Sequence, residues 1–452
     1  MERLTALDAG FLEAEDSDRH VSLAVGGLSV LEGPMPDLDE LVAGISERVA
    51  AVPRFKQVLR THLLDLQSPE WVDDPHLDLS HHIHLGALPH PGDDAALFRF
   101  AADVMERRLD RDRPLWECWI IEGLVDDQWA ILLKIHHSIA DGIATMHMLS
   151  GLSDNGDGET FATEIRAAKA APTTPAGIPK ISLNPLTWAT GMWHLAAGVT
   201  STAATTIEGA IAVAGGILRP AAESSLIGPV TTMRRYSAAS VSFQDVARVK
   251  QAFDVTLNDV ALAAIATSFR AALVRRGKEP RRNSLRTLVP VSVRSNDAAG
   301  VADNRVSVML PFLPVDRADP VDRLRTVNRR LARAKSSGQR EAGSVFLAAV
   351  NLMPFLLTAP AVRVLTRLPQ RGVVTLATNV PGPRQRLQIM GRKVLRVLPI
   401  PPIALRLRTG IAIVSYADEV VFGITADYDA TPDVDEMARG IEQAVAELVA
   451  LC

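Results

Sequence analysis

Two cysteines, Cys118 and Cys452, are all that 452 residues contain. They make neither a disulfide framework nor a zinc ligand set, which fits a reducing cytoplasm. Aromatic residues are scarce at 5%, so the 47% hydrophobic content is mostly Ala, Val, Leu and Ile. An excess of one charge is also missing: the net charge is −4 and the pI is near 6.3, and nothing in that balance suggests nucleic acid. The opening MERLTALDAGF lacks the apolar core of a signal peptide. The longest weakly polar stretch, Leu195 to Leu218, contains Glu208 and many Thr, Ala and Gly. It makes a poor membrane span and reads as helical packing or an interfacial segment. Familiar signatures of chemistry are absent as well: no H-E-x-x-H, C-x-x-C, G-x-S-x-G, Walker loop or G-x-G-x-x-G.

The chain is too long for one compact core and suits two domains. Mean hydropathy is slightly positive, enough to fill a large core and leave apolar surface for a lipid. Helical and strand patterns alternate at both ends. PDLDELVAGISERVAAV places Leu38, Leu41, Val42, Ile45, Val49 and Val52 on one helical face, with Asp37 as cap. ALFRFAADVMERRL is a second amphipathic helix, and WAILLKI (Trp129 to Ile135) reads as a buried strand. From about Asp154 to Pro185 the composition turns to Gly, Pro, Thr and Ser, that of a linker. A second α/β region begins near Tyr236. Its first helix, in TLNDVALAAIATSFRAALVRRG, starts at Asn258 or Asp259 and ends at Gly277. SLRTLVPVSVRS, RVSVMLPFLPV and GVVTLATNVPGP read as strands, GIAIVSYADEVVFGITADY as a hairpin, and DVDEMARGIEQAVAELVAL as a closing helix. The expected division is 1–153, a connector over 154–235, and 236–452. RRGKEPRR (Arg275 to Arg282) could meet phosphate, or simply be a solvated helix end and loop.

One stretch stands apart. In KIHHSIADGIATMHML the apolar run ends on His136 and His137, with Asp141 and Gly142 just beyond. Adjacent residues on a strand point to opposite faces, so one histidine can face a cleft and the other the interior. A neutral imidazole facing a hydroxyl is a general base, worth about 10²–10⁴ in rate. Asp141 could accept an imidazole N–H or hold the loop through an arginine, and Gly142 permits a tight turn into the next helix. A metal needs three or four converging ligands, and His137 with Asp141 supplies only two. By spacing alone the pattern remains open to a structural role.

HHSIADG matches the H-H-x-x-x-D-G motif of the bacterial wax ester synthase/acyl-CoA:diacylglycerol acyltransferase family. RPLWECWIIEGL (Arg113 to Leu124), LNDVALA (Leu257 to Ala263), ATNVPGP (Ala377 to Pro383), SYAD (Ser415 to Asp418) and the opening LTALDAGFL also resemble family blocks, in order. The resemblance covers nearly the whole chain and is closest to mycobacterial triacylglycerol synthases. It implies an α/β (α+β) fold of two chloramphenicol-acetyltransferase-like domains flanking a central substrate tunnel. The first acyltransferase domain would carry the histidine motif. It implies His137 as general base, His136 as an inward-facing support, and Asp141 as loop support paired with an arginine, for which Arg294 is the candidate. Asn258, Thr378, Asn379 and Ser415 are candidate oxyanion donors, with Asn258 alternatively a helix cap. Pro381 and Gly382 suit a rigid turn lining the tunnel, and Pro114, Leu115 and Trp116 either pack or line the acyl path. The implied substrates are long-chain acyl-CoA and diacylglycerol, with a long-chain fatty alcohol as the alternative acceptor. No cofactor or metal is implied, acyl-CoA being a substrate. A lipid-surface protein with little activity and a peptide-synthetase-like condensation enzyme are the readings of other classes. The expected location is cytoplasmic, peripheral on the membrane's inner face or on lipid droplets, with FLLTAPAVRVL and LNPLTWATGMWHLAAG as candidate contacts.

Overall fold

A computed structural model describes residues 2–50, 52–61, 69–139, 142–155, 159–161, 224–292, 306–336 and 372–452. Asp141, Arg294, the Leu195–Leu218 stretch and both candidate membrane segments lie outside the described residues. The first half holds β1 (Glu2–Arg3), α1 (Ala6–Ser17), β2 (Ala24–Leu31), α2 (Leu38–Ala50), β3 (Gln57–Arg60), β4 (Glu70–Asp73) and β5 (Ile83–Ala87). It continues through α3 (Asp94–Glu106), β6 (Trp116–Glu122), β7 (Trp129–His136) and α4 (Gly142–Gly151). The second half holds β8 (Arg234–Ser242), α5 (Phe243–Phe253), α6 (Leu257–Arg275), β9 (Leu285–Ser292), β10 (Val306–Met309), β11 (Phe312–Leu313) and α7 (Pro320–Ser336). There follow β12 (Thr375–Pro381), β13 (Gln388–Ile389), β14 (Arg392–Ile400), β15 (Thr409–Tyr416), β16 (Glu419–Asp427) and α8 (Val434–Ala450).

Two large mixed sheets organise these elements. One runs β13-β14-β2-β7-β6-β5, the other β10-β9-β12-β15-β16-β8 with β11 on β9, and β1, β4 and β3 form a small third sheet. β7 is buried along its whole length between β2 and β6, its apolar run broken before His136 only by Lys134, whose Nζ donates to Val104 O at 2.9 Å. The sheets do not divide at residue 236. β14, from the second half, pairs antiparallel with β2, from Val394 beside Leu31 to Ile400 beside Gly26. The first sheet is therefore completed by a strand that enters the chain more than two hundred residues later. Residues 154–155 and 159–161, expected to begin the connector, are also part of the packed structure. The Asp154 carboxylate accepts the Gly391 N–H at 2.8 Å and Asn155 accepts the Gln388 N–H at 2.9 Å.

Local signals explain the helix ends. The Asp37 carboxylate accepts the Asp39 N–H at 3.0 Å as the cap of α2. Past α6, Gly277 at φ +66° closes a Schellman turn, its N–H donating to Val274 and the Lys278 N–H to Leu273. The start of α6 differs from expectation: neither Asn258 nor Asp259 is the cap. Thr256 is, in a reciprocal box with Asp259, because its hydroxyl sits three residues before a carboxylate. Among the described residues α6 is the one helix long and apolar enough to cross a membrane, and 72% of its apolar window is buried, the mark of a core helix.

Candidate functional site

β7 delivers the histidine pair. At its end the His136 N–H donates to Leu115 O at 2.9 Å and the His137 N–H to Leu23 O at 3.0 Å, extending the ladder with β2 by one residue. The chain then turns, the Ile139 N–H returning to His136 O at 2.9 Å, and α4 begins at Gly142. The two rings diverge. His136 is 1% exposed, and its Nδ1 accepts the Ser138 N–H at 3.1 Å. Its Nε2 faces the Glu15 carboxylate at 3.6 Å. His137 is half-buried and stacks on Phe11, centroids 4.1 Å apart and planes at 26°. Stacking fixes the ring plane while leaving its nitrogen-bearing edge in that plane.

α1 supplies what the sequence reading missed. Glu15, one turn after Phe11, is 1% exposed. It accepts the Leu23 N–H at 2.9 Å through Oε1 and the Arg111 guanidinium at 2.9 Å through Oε2. Burial alone would raise this carboxyl, but the facing His136, Arg111 and the Leu23 N–H overturn that and hold it at about 2. Arg111 also reaches Asp16 at 2.9 Å, and these two carboxylates push the guanidinium pKa up against the opposing effect of its burial. Arg108 donates to Val21 O at 2.9 Å and to the carbonyls of Glu15 and Asp18. Two cations thus close the C-terminal end of α1, where the helix dipole favours them. EAEDSD looks like a solvated charge run, and only the arginines of RRLDRDR, of which Arg108 and Arg111 make the contacts, hint at partners for it.

From the second half, β12, which carries Thr378, Asn379 and Pro381, packs against α4. Asn379 Nδ2 donates to Asn258 Oδ1 at 2.5 Å, so two expected donors are paired with one another. Freed from capping, Asn258 keeps its own amide N–H groups for other acceptors. Thr378 is half-buried. Ser415 is wholly buried beside Pro381, its Oγ without a hydrogen bond. Gly382 donates its N–H to Ser415 O at 3.0 Å, and a Cβ there would stand 2.5 Å from that oxygen. The NVPGP turn therefore needs glycine for close approach. Pro114, Leu115 and Trp116 are buried. The Trp116 indole donates to Phe55 O at 2.9 Å and stacks on His82 at 4.6 Å, a packing role. Among the described residues no three His, Cys, Asp or Glu side chains are grouped as a metal would need.

Residues 4–261 match the family model described as "Wax ester synthase/diacylglycerol acyltransferase catalytic domain", and residues 302–449 that of the "WS/DGAT C-terminal domain". A protein of Mycobacterium tuberculosis (strain H37Rv) named "Probable diacyglycerol O-acyltransferase tgs1" is 54% identical over 451 residues, covering 100% of this chain and 96% of its own. The solved structure of a wax ester synthase/diacylglycerol acyltransferase from Marinobacter aquaeolei VT8 matches with a TM-score of 0.69 at 27% identity, over 100% and 99% of the two chains. The first condensation domain of the calcium-dependent antibiotic synthetase matches at a TM-score of 0.63 over 99% and 96%, and at 14% identity it speaks for the fold alone. The two-domain fold expected from the motifs is the fold these structures share with the chain.

Proposed function

Because this chain belongs to the wax ester synthase/diacylglycerol acyltransferase family, we propose that it moves a long-chain acyl group from coenzyme A to the free hydroxyl of diacylglycerol. The observation that carries the reading is the half-buried His137, held by backbone and aromatic contact at the end of a rigid central strand inside the family's motif. His137 takes the hydroxyl proton as the alcohol oxygen bonds to the thioester carbonyl carbon. The tetrahedral intermediate then re-forms its carbonyl, the C–S bond breaks, and the proton on His137 passes to the departing coenzyme A thiolate. Charge on the intermediate's oxygen calls for a fixed donor, and the Asn258 amide, oriented by Asn379, is the best placed by chemistry. Asp141 supports the loop, with Arg294 as its partner.

No acyl-enzyme is required, in keeping with Cys118, whose thiol burial pushes up to about 12. Acyl-CoA enters as substrate and no cofactor takes part. Both substrates are amphiphilic or insoluble, so the enzyme works peripherally at a membrane or lipid-droplet surface. A long-chain alcohol is the alternative acceptor, favoured by the wax ester synthase name of the Marinobacter structure. The test is coenzyme A release from oleoyl-CoA by purified protein with dioleoylglycerol, hexadecanol or no acceptor. Release dependent on dioleoylglycerol, reduced about 10²-fold or more in His137→Ala, supports the proposal. Preference for hexadecanol moves the assignment to wax ester synthesis. Equal background in every reaction, from folded protein, leaves a lipid-surface role.

A further inference from the structure

Glu15 has no part in the proton transfers just described, yet its surroundings all lead to His137. A buried carboxylate kept for stability alone is a poor solution, since apolar replacements of buried ion pairs are commonly as stable. Position is the better explanation. Glu15 Oε1 holds the Leu23 N–H, and the Leu23 carbonyl holds the His137 N–H, so one residue is gripped between the carboxylate and the motif. Glu15 Oε2 faces Nε2 of His136, the residue that precedes His137 at the strand end. Phe11, on the same face of α1 one turn earlier, stacks on the His137 ring. Arg111 and Arg108 lock α1 against the α3–β6 segment through Glu15, Asp16 and four backbone carbonyls, those of Leu12, Glu15, Asp18 and Val21.

We infer that Glu15 is a positioning residue for the acyl transfer, fixing through Leu23 and His136 where the main chain of His137 lies relative to the Phe11 ring. This rests on His137 being the base. An imidazole displaced by about 1 Å from the attacking hydroxyl loses on the order of 10² in rate, and it does so without changing contacts to either substrate. The carboxylate acts on kcat, then, and leaves KM alone.

The experiment compares wild type, His137→Ala, Glu15→Ala and Glu15→Gln by steady-state kinetics with oleoyl-CoA and dioleoylglycerol, each checked for native circular dichroism and thermal unfolding. Glu15→Gln keeps an acceptor for the Leu23 N–H and nearly the same volume, so it folds even where Glu15→Ala does not. The expected result is a kcat lowered by roughly 30–100-fold in Glu15→Ala, recovered to within about fivefold in Glu15→Gln, with both KM values within twofold of wild type. Wild-type kcat in a folded Glu15→Ala overturns the proposal, as does a folded Glu15→Gln with no better turnover than Glu15→Ala. A loss confined to KM overturns it too. If Glu15→Ala does not fold, Glu15→Gln decides alone: a fall in kcat beyond tenfold overturns the proposal, and a smaller fall with unchanged KM supports it. Inactive wild type with every acceptor, or an undiminished His137→Ala, would instead defeat the acyltransferase reading on which it stands.

Discussion

Gly423→Ala tests how tightly the two sheets are joined. Gly423 lies in β16, flanked by Ala412 of β15 and Ala238 of β8, and β14 of the other sheet crosses directly over it. A Cβ built on Gly423 would stand 1.7 Å from the Pro399 carbonyl oxygen, 2.8 Å from its carbon and 2.8 Å from the Tyr236 hydroxyl. Backbone atoms make two of the three contacts, so no rotamer change relieves them, and β14 must retreat by about 1.5 Å. That retreat breaks the buried hydrogen bond from the Tyr236 hydroxyl to Pro399 O, 3.0 Å long. Losing it costs about 1–2 kcal/mol, and the forced overpacking adds about 1–3 kcal/mol. The expected destabilisation is about 2–5 kcal/mol in urea unfolding. Gly151→Ala is the control, because Gly151 ends α4 with nothing within 4 Å of an added Cβ. It should be neutral or stabilising by up to about 1 kcal/mol. Equal unfolding midpoints for the two variants would refute the close crossing.

Other outcomes follow from the same geometry. The Glu15 carboxyl is held at about 2 against an ordinary 4.5, so its contribution is full above pH 4.5 and disappears as pH falls through 2. It amounts to about 3 kcal/mol at neutral pH, and the unfolding free-energy gap between wild type and Glu15→Gln should narrow from pH 5 downward; a gap constant to pH 3 would contradict this. Native protein should titrate one thiol, the exposed Cys452, while Cys118 reacts only after unfolding. Full alkylation of the native thiol should leave acyl transfer intact, and a matching loss of activity would reopen a covalent route. Residues 1–235 expressed alone lack β14, which leaves the β2 edge unpaired. That fragment should aggregate or unfold without cooperativity, and a sharp reversible transition would mean the first sheet stands without its late strand.

Much of this arrangement could be read directly from the chain, for physical reasons that differ by element. β7 announces itself because a strand buried on both faces is mostly apolar, and α2 because its apolar residues recur at helical spacing. Gly277 marks the end of α6 because that turn needs a positive φ. β2 was not legible: Gly26 and Gly27 suggest a turn, yet Gly26 is small because Ile400 and Met105 approach to 3.0 Å of where its Cβ would be. Nothing local in RKVLRVLPI says which sheet it joins, since that is decided by a partner far away in sequence. Thr256 could have been found, because Thr-x-x-Asp is a capping pattern and outranks the more familiar Asn-Asp pair beside it. The pairing of Asn258 with Asn379 could not, for it depends on α6 and β12 meeting.

If His137 is the base, as proposed, its place at the end of β7 follows from stiffness. A base on a free loop would wander by more than proton transfer tolerates. Here the last backbone bond of a central strand fixes His137, a ring from α1 fixes its plane, and α4 leaves the motif directly onto β12 of the other sheet. The second sheet is held in turn by β14, whose Pro399 carbonyl is bound by Tyr236 and whose Val394 carbonyl is bound by Tyr416. Both tyrosine hydroxyls are buried on strands of the second sheet while their acceptors belong to a strand of the first. These two tyrosine bonds to β14 tie the half that carries His137 to the half that carries the Asn258–Asn379 pair, the fixed spacing that the proposed acyl transfer between them requires.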